Sequence, residues 1–162
     1  MNYEEALRLD DIVAHDNKML IYRDFCEPTR GTKYSAGIDL RAADDFEILP
    51  GYGAVIPLGV WWNRKKINKD NSPIETYSLE IYGGLYLRSS LGKWLVIPNG
   101  KGIIDIDYPG EFMLTLHNPY TNIVKIKKGE RVAQLVLEQH FSYMLGFETN
   151  KIRNGGFGST GK

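Results

Sequence analysis

Four groupings of side chains in this 162-residue sequence could do chemistry. In Gly102-Ile103-Ile104-Asp105-Ile106-Asp107-Tyr108-Pro109-Gly110, strand alternation sends Asp105 and Asp107 to one face and Ile104 and Ile106 to the other. A carboxylate beside a like charge, or in a partly apolar cleft, has its pKa raised and becomes a better base near neutral pH. Two solvated acids capping a hairpin would give the same pattern. In Leu87-Arg88-Ser89-Ser90-Leu91-Gly92-Lys93, a guanidinium, two hydroxyls and an ammonium gather at the end of an apolar strand. That set suits a phosphate, because Arg binds it bidentately and Ser adds short donors; the alternative is a polar turn with a snorkelling Arg. The tail, Arg153-Asn154-Gly155-Gly156-Phe157-Gly158-Ser159-Thr160-Gly161, sets donors and a lone aromatic ring among glycines. It could fold over a nucleotide, with the ring on the base and backbone N–H groups on phosphate, or be plain disorder. Ala36-Gly37-Ile38-Asp39-Leu40-Arg41-Ala42 reads as a small-residue turn presenting one acid, which could equally be a buried, hydrogen-bonded Asp. His15, His117 and His140 share no metal-ligand spacing and read as structural.

The elements that must hold these groups are short. Asn2 and Glu5, an N-cap and its reciprocal partner, predict one helix over Tyr3–Val13. From Met19 onward, short apolar or alternating runs stand between Gly, Pro, Asn and Asp. They are Met19–Arg23, Phe46–Leu49, Ala54–Trp62, Tyr77–Tyr82, Leu85–Arg88, Trp94–Ile97, Gly102–Ile106, Glu111–His117, Ile123–Ile126 and Val132–Phe141. No stretch between them is long and helical enough for a parallel crossover. The pattern therefore predicts one all-β domain, a jelly-roll-like antiparallel sandwich or barrel with a short N-terminal helix and a flexible tail over 153–162. Arg64–Thr76 reads as an exposed excursion that could carry a protein partner.

Lys plus Arg and Asp plus Glu balance at 20 each, so no net field draws the molecule to nucleic acid or an anionic membrane. A polyanionic ligand must be held locally. The one cysteine, Cys26, excludes an internal disulfide, the first residues are acidic, and no apolar run approaches a membrane span. These features predict a soluble, cytoplasmic protein.

In order and spacing, AGIDLRA (36–42), RSSLGK (88–93), NGKGIIDIDYPGE (99–111), GERVAQLVL (129–137) and GGFGSTG (155–161) resemble the five motifs of the trimeric dUTPase family. The resemblance implies a Mg²⁺-dependent hydrolysis of dUTP to dUMP and pyrophosphate. Asp105 would deprotonate a water attacking the α-phosphorus, and Tyr108 would pack against the deoxyribose and exclude a 2′-hydroxyl. Asn99, Ile103, Ile104 and Met113 would read uracil, while Arg88, Ser89, Ser90 and Gln134 hold the phosphate chain. Asp39 would act through waters of the Mg²⁺ shell. Phe157 would stack on the base, with Arg153, Gly158, Ser159 and Thr160 closing the lid. It also implies a homotrimer in which each site draws on three subunits.

There are departures. The tail has one residue fewer between Arg153 and Phe157 than the family pattern, Leu87 stands where Gly or Pro is common, and Arg88 to Asn99 is shorter by about two. Two rivals share the fold. One is dCTP deaminase, whose pattern requires Glu where Thr115 stands; the other is a dUTPase-like protein that binds a regulator through its pocket or the 64–76 excursion.

Overall fold

The computed structural model describes residues 1–67 and 81–147, so the 153–162 tail and the excursion beyond residue 67 lie outside the described residues. Two short helices, α1 (Tyr3–Ala6) and α2 (Arg64–Ile67), accompany twelve strands. The strands are β1 (Ile12–Ala14), β2 (Leu20–Arg23), β3 (Thr29–Arg30), β4 (Ile38–Arg41), β5 (Phe46–Ile48), β6 (Gly53–Pro57), β7 (Val60–Trp62), β8 (Ile81–Leu87), β9 (Gly102–Asp105), β10 (Met113–His117), β11 (Val124–Ile126) and β12 (Arg131–Gln139). Among the described residues every pairing is antiparallel. The strands form a five-stranded sheet ordered β3-β4-β12-β8-β9, a three-stranded sheet β1-β2-β7, and the pairs β10-β6 and β11-β5. This is the all-β, jelly-roll-like architecture that the alternating runs predict.

Between the sheets lies an apolar core that includes Leu40, Ile56, Leu58, Leu85, Ile104, Leu114, Leu116 and Leu135, with Trp62 edge-on to Phe112 at 5.0 Å between ring centroids. A smaller cluster of Tyr3, Ala6, Ile21 and Trp61 seats α1. The five-stranded sheet turns Leu40, Leu85, Ile104 and Leu135 inward, so its other face is left to carry polar groups.

Several local expectations are corrected. The Asn2–Glu5 capping box forms, yet the helix stops at Ala6, and β-branched Ile12 and Val13 pair with β2 instead of extending it. The run Ala54–Trp62 splits at Gly59, whose φ of +63° ends β6 and starts β7. Conversely, Gly83-Gly84 does not break the chain, and β8 runs through both. A Cβ at Gly83 would lie 2.8 Å from Leu135 and 3.2 Å from Trp62, so this glycine permits close packing. Trp94–Ile97 is a turn with one isolated bridge, Val96 to His117. AGIDLRA is no turn: Ile38–Arg41 is a strand in the middle of the large sheet, and Gly37 lets it approach Gln134. β12 ends at Gln139 rather than Phe141, and Ser142–Leu145 is a 3-10 turn.

Candidate active site

The predicted site residues fall into two places. The first is a cavity of about 240 Å³ lined by Leu85, Ile97, Asn99, Gly102, Ile103, Ile104, Tyr108, Met113, Leu114 and Thr115. All five residues expected to meet the base and sugar, namely Asn99, Ile103, Ile104, Tyr108 and Met113, are among these. The walls have a specific physical character. Among the described residues β9 pairs only with β8, and β10 pairs with β6 and meets Val96 only at its last residue, His117, so β9 and the Met113–Thr115 part of β10 each present an open edge of alternating backbone N–H and C=O groups. A flat ring with donors and acceptors on its rim can complete such an edge.

The turn that follows β9 is fixed from three sides. The Trp62 indole N–H donates to the Asp105 carbonyl at 2.9 Å, Arg64 donates to the Asp107 carbonyl at 3.0 Å, and the Tyr108 hydroxyl donates to the Glu111 carbonyl at 3.1 Å. Tyr108 is buried, and a Cβ at position 110 would fall 2.6 Å from its hydroxyl; Pro109-Gly110 therefore makes room for the ring. With the hydroxyl engaged, Tyr108 meets the cavity with its ring. The strand ends at Asp105, so the expected sharing of a strand face with Asp107 is corrected: Asp107 stands in the turn. Both carboxylate residues are exposed.

The second place is a charge cluster around Asp39, which is only 5% exposed. Its carboxylate lies 3.3 Å from Arg88 Nε and 3.2 Å from Arg131 Nη1, and it accepts from Gln134 Nε2 at 3.3 Å. Cross-strand register explains the convergence. Gln134 on β12 is opposite Asp39 on β4 and Tyr86 on β8, and Arg88 follows β8 directly. Ser89 and Ser90 are exposed in the turn that Arg88 opens, where the Arg88 carbonyl accepts from the backbone N–H groups of Leu91 and Gly92. Arg131 was not singled out from the sequence. Its signal was a cation three positions before Gln134, but a β-bulge between Arg131 and Ala133 sets its direction, and no residue pattern announces that bulge.

Asp39, Gln134, Tyr86, Tyr82 and Asp105 are linked by consecutive register pairs, so they share one face of the sheet. The two places are nevertheless far apart in one chain. Asp105 is opposite Tyr82, and six residues of β8 at ~3.4 Å each put Arg88 about 20 Å further along. Among the described residues no group of three or more His, Cys, Asp or Glu converges as a metal cage. Arg153, Phe157, Gly158, Ser159 and Thr160 lie outside the described residues.

Against known proteins, the family model described as dUTPase matches residues 23–161. The deoxyuridine 5'-triphosphate nucleotidohydrolase of Haemophilus influenzae strain PittEE is 35% identical over 150 residues, covering 88% of this chain and 91% of that protein. The crystal structure of a dUTPase from Streptococcus mutans superposes with a TM-score of 0.62 at 26% identity, over 76% of this chain and 97% of that one. A mutant dUTPase of phage phi11 of S. aureus, described with the coordination of a structural Mg(II) ion, superposes with a TM-score of 0.60 at 22% identity, over 76% and 92%.

Proposed function

Because the chain belongs to the dUTPase family and hydrolyses dUTP, we propose that the reaction runs on Asp105, at a site assembled from more than one copy of the chain. The observation that carries this reading is the cavity between the open edges of β9 and β10. A uracil ring there can exchange hydrogen bonds with backbone groups, and walls of Ile104, Met113 and Leu114 leave little room for a 5-methyl group. Cytosine presents the wrong donor and acceptor order to the same edge. The Tyr108 ring packs where a ribose 2′-hydroxyl would stand.

Arg88, with Ser89, Ser90 and Gln134, takes the phosphate chain. Asp105 holds a water in line with the α-phosphorus and accepts its proton as the new P–O bond forms; the bond from that phosphorus to the bridging oxygen breaks, and pyrophosphate leaves. Arg88 and Arg131 offset the charge that builds on the phosphate oxygens. Asp39 already shares its oxygens among two guanidiniums and an amide, which suits a role through water rather than as a direct ligand. One such carboxylate beside a phosphate site fits Mg²⁺, an ion that keeps several waters and takes substrate phosphates as ligands. A Mg²⁺ ion held there through water by Asp39 would offset the charge of the triphosphate. To the tail residues Arg153, Phe157, Gly158, Ser159 and Thr160, which lie outside the described residues, the family resemblance assigns the base and the γ-phosphate.

The six residues of β8 that separate the partner of Asp105 from Arg88, about 20 Å of strand, support a shared site: the water-activating end of one copy meets the phosphate-holding end of another, and a ring of three closes the contacts. Thr115 lines the cavity where the deaminase reading requires Glu, which disfavours that rival.

The test is an assay of dUTP, dCTP, dTTP and UTP with Mg²⁺, following pyrophosphate and ammonia. Pyrophosphate from dUTP alone is expected; ammonia from dCTP would overturn the reading. Asp105→Asn should lose several orders of magnitude, roughly 10³-fold or more, in turnover while still binding dUTP. Near-normal turnover would remove Asp105 from its role.

A further inference from the structure

Away from the reacting groups, the same sheet face carries a second polar cluster. Lys101 stands between Asn99 and Gly102-Ile103, which line the cavity, but its own side chain lies on the sheet. Its ammonium donates to Glu138 Oε2 at 2.5 Å, to the Tyr82 hydroxyl at 2.8 Å and to the Tyr86 hydroxyl at 3.2 Å. It also sits over both rings, 5.1 and 5.4 Å from their centroids. The Tyr86 hydroxyl in turn donates to the other oxygen of Glu138. Three strands are thereby tied together: Glu138 belongs to β12, the tyrosines to β8, and Lys101 leads into β9.

Glu138 reaches across β8 because residue 84 has no side chain; a Cβ there would lie 2.8 Å from the Glu138 carboxylate. Two adjacent glycines in β8 thus do different jobs, Gly83 toward the core and Gly84 toward this cluster. Both charged groups are partly buried, at 30% and 21% side-chain exposure, and the pairing pushes Glu138 down to about 2 and Lys101 above its ordinary value.

We propose that Lys101, clamped by Glu138, Tyr82 and Tyr86, is a positioning residue that sets the distance between the β9 edge and β10, and so the fit of the base in the cavity. This rests on the base-pocket reading above. β9 has only one strand partner among the described residues, so its outer edge has no ladder to fix it. The clamp supplies that constraint from the sheet face, one residue before β9 begins and between the cavity-lining Asn99 and Gly102.

The role predicts a split between the two halves of the substrate. In the intact oligomer, Lys101→Met should weaken dUMP binding and raise KM for dUTP about tenfold, leave kcat within about twofold, and leave inhibition by pyrophosphate unchanged. Tyr86→Phe, which keeps the ring and removes one hydroxyl, should move the same quantities in the same direction by less. It decides the matter if Lys101→Met does not fold. Unchanged dUMP affinity in both variants would overturn the proposal, as would a loss confined to kcat or to pyrophosphate binding. A wild-type protein that binds dUMP but releases no pyrophosphate from dUTP would instead count against the reaction, and the dUMP comparison would remain readable.

Discussion

Asp39 is a buried carboxylate shared by Arg88, Arg131 and Gln134, and replacing it leaves two guanidiniums without their counter-charge. Asp39→Ala should therefore lose about 3 kcal/mol of stability, read from denaturant unfolding at fixed protein concentration, as well as activity. A variant as stable as the parent would show that the cluster stands alone without its acid. Gly59 gives a second residue-scale test. Its φ is +63°, and a Cβ there would lie 2.7 Å from Cys26 Sγ and 3.0 Å from Cys26 Cβ. Gly59→Ala meets both strain and overlap, so a loss of at least about 2 kcal/mol is expected by the same measurement. Burial pushes the Cys26 thiol up to about 11, which keeps it neutral and unreactive near pH 8. Iodoacetamide should leave native protein unlabelled and label Cys26 once it is unfolded; fast native labelling would contradict the packing of the β6–β7 turn on it.

At the scale of elements, the clamp on β9 has a pH signature. Glu138 is lowered from 4.5 to about 2, so its contribution is complete above 4.5 and fades as pH falls toward 2. Lys101 is raised above 10.5, so its contribution is complete below 10.5 and fades only above it. The melting-temperature gap between the parent and Glu138→Gln should thus stay level between about pH 5 and 10 and close in acid. A gap that varied across neutral pH would mean that another group titrates there. Alternation revealed the strands because half-buried sheets repeat every two residues, and it set Ile104 and Asp105 on opposite faces, where the one is buried and the other exposed. What it could not reveal were the meanings of glycines. Gly59 breaks a run, while Gly83 and Gly84 continue one, and the difference lies in Leu135, Trp62 and Glu138, which are distant in sequence. For the same reason Asp39 looked like part of a turn, because its neighbours in β12 lie more than ninety residues away. The cavity residues were legible together because a single segment, 99–113, supplies most of them. Arg131 and Lys101 were not, since their roles depend on partners in other strands.

At the scale of the whole molecule, the segment that follows β12 carries large apolar side chains in the open. Phe141, Tyr143, Met144, Leu145 and Phe147 are exposed, the last by 91%. The shared-site reading makes a strong prediction. Asp105→Asn and Arg88→Ala should each be inactive, yet refolding them together should recover up to about a quarter of parental activity, because random trimers pair an intact Arg88 with a neighbour's intact Asp105 in that share of sites. No recovery in mixtures shown by mass to be hybrid trimers would place both residues in one chain's site. The open edges of β9 and β10 carry a final consequence. With no ligand their outward amide protons face solvent and trade readily for deuterium, so a bound pyrimidine should slow exchange at alternate residues of 102–105 and 113–115 while leaving β8 and β12, already laddered on both sides, as they were. The nucleotide acts here as a temporary strand, and the isotope pattern it leaves would trace its outline on the backbone.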